Sequence, residues 1–157
     1  MMDALHLKYP KTWRIENTDF SSTTRVTTEL HNVGVVKGSS DGFIRITAIK
    51  RQKDSSLKKE LMELRAHLEK YHKVKIDKLL SSETAKVTDR FNFARKELYD
   101  ISFDTKNALI DQQLWVVALA DEKWYTILYM LSPKKTQDFY TWAKNTRTFD
   151  VLVQSIQ

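Results

Sequence analysis

The chain contains no cysteine. That excludes disulfides, thiolate zinc sites and cysteine nucleophiles, and favours neither redox compartment. Among its 157 residues are three glycines, Gly34, Gly38 and Gly42. Average usage would be about 7%. Phosphate-cradling loops and nucleophile elbows are built on glycine, and these three furnish neither. There are two prolines, Pro10 and Pro133. No apolar run approaches the roughly 20 residues that a membrane-spanning helix requires. The stretch MMDALHLKYP has neither a basic nor an apolar region of the secretory type, so no signal peptide is expected in it.

What is present suits one packed domain over residues 1–157. Hydrophobic residues are 41% and charged residues 29%, with 4 Trp, 6 Tyr and 7 Phe for a core. The net charge is +6 and the pI about 9.4. A basic balance suits nucleic acid, an anionic membrane surface or an acidic protein partner.

Leu5, Leu7 and Tyr9 alternate with His6 and Lys8, predicting a first strand that resumes at Trp13–Ile15. Pro10 cannot donate to a ladder, so it predicts a bend that drops Trp13 onto the core. RVTTELHNVGVV and FIRITAIKR, joined through KGSSDG, read as a hairpin with Ile44, Ile46 and Ala48 on one face. Leu57, Leu61, Leu64, Leu68 and Tyr71 then form one helical stripe, capped by Asp54, Ser55 or Ser56. Val74 and Ile76 alternate with lysines as a short edge strand, and SSET reads as a turn. Residues 85–104 alternate, with a change of parity near 94–97 that predicts a bulge or turn. LIDQQLWVVALA and KWYTILYML form the strongest hairpin, apolar on nearly every residue and so central in a sheet. Ser132 and Pro133 read as cap and first residue of a helix. Phe139, Trp142 and Ala143 would be its buried face and Asn145 its end, with a last short segment over Thr148–Ile156. Strands, helix, strands, helix is the order of an antiparallel α+β fold.

LKYPKTWRI at the start, and LWVVALADEKWYTILYMLS running into SPKKTQDFYTWAKNTRTFDVLVQSI at the end, carry a resemblance. The chain resembles the PsbP/DcrB-like family, which includes the photosystem II extrinsic protein PsbP, a nuclear Ran-binding factor and bacterial DcrB-type lipoproteins. The resemblance implies an α/β/α fold, an antiparallel sheet sandwiched by helices. It implies a non-enzymatic accessory or binding domain acting through a protein partner, with no cofactor and no catalytic residue to carry over. Many bacterial members are envelope lipoproteins, and a related group serves as chaperones for secreted effectors. This sequence departs from them in lacking a lipobox cysteine. The implied location is the bacterial envelope or periplasm if an N-terminal signal has been removed, and the cytoplasm otherwise.

Few side chains invite chemistry. His67 and His72 are five apart, not the four of a zincin motif, and an ideal helix turns them in different directions. Asp19, Asp41, Asp104, Asp111, Asp121 and Glu122 read as solvated turn acids, and no metal site is predicted. Trp115, Trp124, Tyr125, Tyr129 and Trp142 read as core, with a cleft between the sheet and one helix as the place for a partner. The basic run Lys70, Lys73, Lys75 and Lys78, with Trp124 added, is the candidate partner-binding set. Nucleic acid is the alternative partner, which would need exposed aromatics beside the lysines. Tyr71 is assigned to the core by the stripe. A solvated helix end and a charged, aggregation-resistant edge explain the same lysines without any ligand.

Overall fold

The computed structural model describes residues 8–19, 22–32, 42–103 and 112–157. The segment Leu5–Leu7, most of the KGSSDG loop, and Asp41, Asp104 and Asp111 lie outside the described residues. The elements are β1 (Trp13–Asp19), β2 (Arg25–Asn32), β3 (Phe43–Lys50), α1 (Leu57–His72), β4 (Val74–Thr84), β5 (Phe93–Phe103), β6 (Gln112–Ala120), β7 (Trp124–Pro133) and α2 (Phe139–Ser155). The strands form one antiparallel sheet in the order β1-β2-β3-β7-β6-β5-β4.

Alternation along the central strands divides the core between the two faces. Ile44, Ile46, Val117, Leu119, Leu128 and Met130 lie on one face, against Phe149, Leu152 and Ile156 of α2. Leu114, Val116, Ile127 and Tyr129 lie on the other, against Leu61, Leu64 and Leu68 of α1. Two covered faces explain why β6 and β7 are apolar at nearly every position.

The expected α/β/α sandwich is corrected. Among the described residues seven strands stand against two helices of 16 and 17 residues, and the fold is dominated by its sheet. A helix is about 10 Å across and neighbouring strands about 4.8 Å apart, so one helix covers roughly two strands. The two helices therefore cover part of each face and do not form layers. β4 stays exposed from Asp77 to Thr84, and Ile15 of β1 is exposed.

Several boundaries also move. β4 runs for 11 residues straight through SSET. In the β4–β5 pairing the irregularities lie in β4, at Asp77 and Leu80, and β5 pairs with β6 without a shift. Ser132 and Pro133 end β7. α2 is capped instead by Asp138, which accepts from Thr141 N at 3.0 Å. Asn145 does not end that helix. It sits buried in mid-helix and donates from Nδ2 to Ser132 Oγ at 2.9 Å. The buried face of α2 is Asn145, Thr148, Phe149, Leu152 and Val153, while Phe139 is exposed.

The corner at Pro10 agrees with the sequence. Trp13 N donates to Pro10 O at 3.0 Å, and Trp13 is 3% exposed. Gly42 enters β3 beside it. A Cβ there would lie 2.8 Å from Asn145 Oδ1 and 2.9 Å from Trp13 Cη2, so the position has no room for a side chain.

Candidate functional site

Ser56 caps α1, its hydroxyl accepting from Lys59 N at 3.2 Å. Leu57, Leu61, Leu64 and Leu68 then pack on the sheet. The stripe does not continue to Tyr71, which is 64% exposed. The position four after Leu68 is His72, and it takes the slot over the sheet. Lys73 closes the helix in the left-handed conformation at φ 55°, its N–H bonded to Leu68 O.

His67 and His72 do not diverge. Their ring centroids are 5.7 Å apart. A helical side chain leans toward the N-terminus, which carries the last imidazole back beside the earlier one. Beneath them, antiparallel register sets Glu29, Arg45 and Tyr129 side by side on β2, β3 and β7. Arg45 Nη1 lies 2.7 Å from His67 Nε2 and 3.6 Å from Glu29 Oε1. A guanidinium only donates, so His67 Nε2 accepts and its proton is on Nδ1. Tyr129 Oη is 3.4 Å from His72 Nε2. Phe43 lies between His31, at 4.8 Å, and His72, at 5.8 Å.

Burial, and then the Arg45 charge, lower the pKa of both His67 and His72. Burial pushes the Tyr129 phenol up to about 12. Near neutral pH the site thus holds two neutral imidazoles, a neutral phenol and one cation tied to a carboxylate. The adjoining cleft of about 260 Å³ is lined by Arg25, Arg45, Glu60, Glu63, His67 and Tyr129, among others. Arg25 bonds Glu60 at 2.7 Å and meets Glu63 at 3.5 Å. These charges are spent on one another, and the cleft is smaller than most small-molecule sites. No group of three or more metal-ligating side chains converges among the described residues.

The basic run lies at the C-terminal end of α1 and along the sheet edge. Lys70 places its ammonium 5.1 Å from the Tyr71 ring, and Tyr71 in turn lies 4.8 Å from the His67 ring. Lys73 and Lys75 border a hollow of about 280 Å³ with Glu69, Ser102 and Phe103. Lys78 follows the bulge at Asp77, and all four lysines are exposed.

Trp124 does not join them. It starts β7 opposite Lys50, at the far end of β3 from Phe43, about 20 Å along the strand. It is half-buried over the β6–β7 turn. There Asp121 accepts from the N–H of Lys123 and Trp124, both at 2.7 Å, and from Arg90 at 2.6 Å. Burial alone would raise the Asp121 carboxyl, but these donors hold it below the usual range. That acid is a turn-former.

Arg45 and the convergence of His67 with Tyr129 were not singled out in the sequence. The usable signals were an arginine on the polar face of an alternating strand and the i,i+4 spacing of His67 and Tyr71. Among the described residues no helix is long and apolar enough to cross a membrane. No family model matches the chain, and no curated protein matches it.

Proposed function

We propose that the protein is a non-catalytic binding domain that takes an extended, acidic segment of a protein partner along β4 and the adjoining end of α1. The observation that carries this reading is β4, the edge strand of the sheet among the described residues, 11 residues long, exposed from Asp77 to Thr84 and led by Lys70, Lys73, Lys75 and Lys78. Ala85 N donates to Ala94 O at 3.2 Å, so period-two alternation turns the N–H groups of Ser82 and Thr84 outward. Extended peptides add to such edges through main-chain bonds, with side chains setting specificity. The bulges at Asp77 and Leu80 interrupt the ladder, so the lysine half binds through charge and the Ser81–Thr84 half through backbone. The same lysines repel a second copy of this edge and attract an acidic one. A chaperone or adaptor for secreted effectors would use the edge in the same way.

Tyr71 supports a second reading. Standing exposed beside Lys70, it supplies the aromatic platform that single-stranded nucleic acid requires.

One experiment separates the two. A labelled Glu-rich, β-forming peptide and a single-stranded oligonucleotide of equal charge are titrated with the full chain, and hydrogen exchange follows the peptide complex. The expected outcome is peptide binding that protects Ser82 and Thr84 and weakens about tenfold in Lys75→Glu/Lys78→Glu. Preferential oligonucleotide binding, lost in Tyr71→Ala, replaces this with the nucleic-acid reading. No binding of either probe at low salt overturns both.

A further inference from the structure

A second exposed surface lies on the other face of the sheet, at the start of α2, and β4 plays no part in it. Phe139 is 61% exposed and Tyr140 is 70% exposed. Trp142 is half-buried and packs against the core, and the fully buried face of α2 begins at Asn145, so Phe139 and Tyr140 stand clear of the core. The rings are organised. Phe139 and Trp142 have centroids 5.9 Å apart at an interplanar angle of 32°. The Lys135 ammonium lies 5.8 Å from the first and 5.3 Å from the second. The Lys144 ammonium lies 4.8 Å from the Tyr140 ring.

We propose that this end of α2 docks the protein on the surface of an anionic lipid bilayer. Phe139 and Tyr140 enter the boundary between headgroups and acyl chains, Trp142 rests at headgroup depth, and Lys135 and Lys144 meet lipid phosphates. Aromatic rings with flanking lysines are the chemistry of that boundary. The charge is complementary. The acid nearest the patch, Asp138, is occupied by Thr141, accepting from its N–H at 3.0 Å and its hydroxyl at 2.7 Å. It keeps its negative charge, and Lys135 and Lys144 outnumber it at the patch, on a chain of net charge +6. Shape decides against nucleic acid here. Consecutive exposed residues at a helix start make a convex point, whereas single strands are held in a groove that tracks their backbone. Attachment through one small patch is peripheral and reversible.

The test is sedimentation of the full chain with vesicles of phosphatidylcholine alone or of phosphatidylcholine with phosphatidylserine. The proposal expects partition onto the phosphatidylserine vesicles, about tenfold above phosphatidylcholine, and loss of that excess in high salt. Phe139→Ser/Tyr140→Ser and Lys135→Glu/Lys144→Glu should each reduce it about tenfold, with thermal melting unchanged because the exposed side chains support no core. Lys75→Glu/Lys78→Glu should keep the vesicle binding, which separates this surface from the β4 edge. Equal partition on both vesicle types, undiminished binding by either patch variant, or an oligonucleotide that binds the patch in place of vesicles overturns the proposal.

Discussion

Thr126 is fully buried in β7, and its hydroxyl is the one buried side-chain polar atom without a partner among the described residues. Desolvating an unpaired hydroxyl costs about 1–3 kcal/mol, and valine has nearly the same shape. Thr126→Val is therefore expected to stabilise the protein by about 1 kcal/mol, seen as a rise in Tm of about 2–4 °C in calorimetry. An unchanged or lower Tm would show that the hydroxyl is satisfied. Single residues also mark the limit of what was legible. Trp13 was placed in the core because proline chemistry and side-chain size agreed there. Tyr71 escapes the pattern because a stripe can continue at i+3 or i+4, and only the sheet beneath decides between Tyr71 and His72. Ser132 and Pro133 look like a helix cap locally, yet they finish a strand whose pairing with β6 is set elsewhere in the chain.

At the scale of elements, the end of α1 that rests on the sheet should respond to acid. His67 and His72 face each other, Arg45 of β3, Glu29 of β2, Tyr129 of β7, and Tyr71 of α1 itself. Both folded-state pKa values lie below the 6.5 of a free imidazole. Below that pH the unfolded chain takes up protons that the folded protein resists, so their contribution to stability is intact above about pH 6.5 and declines as pH falls through the folded values. Urea titrations at about pH 7.5 and 5.5 should show lower stability at the acid value, and His67→Gln/His72→Gln should flatten the difference. An equal slope in the variant would place the acid sensitivity elsewhere. Elements with one strong period were legible: α1 from its leucines, and β6 and β7 from their apolar runs. The far half of β4 is not legible, because Asp77 to Thr84 is exposed on both faces and shows no alternation. The continuity of α2 is not legible, because Asn145 and Thr148 are polar residues on its buried face and locally resemble a helix end.

For the whole molecule, the seam between β3 and β7 joins strands far apart in sequence. Both apolar clusters cross it. Ile44 and Ile46 pack with Leu128 on one face, and Ile49 packs with Ile127 on the other. Neither side keeps a complete core without its partner, so unfolding is expected to be a single transition. Urea curves followed by tryptophan fluorescence and by far-UV circular dichroism should coincide, and two separated midpoints would show that the halves fold apart. A sandwich was expected because the order of elements allows helices on both faces. How much of each face they cover depends on strand number and width, which no local pattern encodes. The crowding at Gly42 has a further consequence. Positions 13, 42 and 145 belong to three distant stretches of chain, yet they share one small volume. Substitutions there will not add: alanine at 42 becomes tolerable only once both Asn145 and Trp13 have been shortened, and is costly before. The three positions are coupled in one direction: a side chain at 42 requires smaller residues at 13 and 145, whereas glycine at 42 leaves those two positions independent of it.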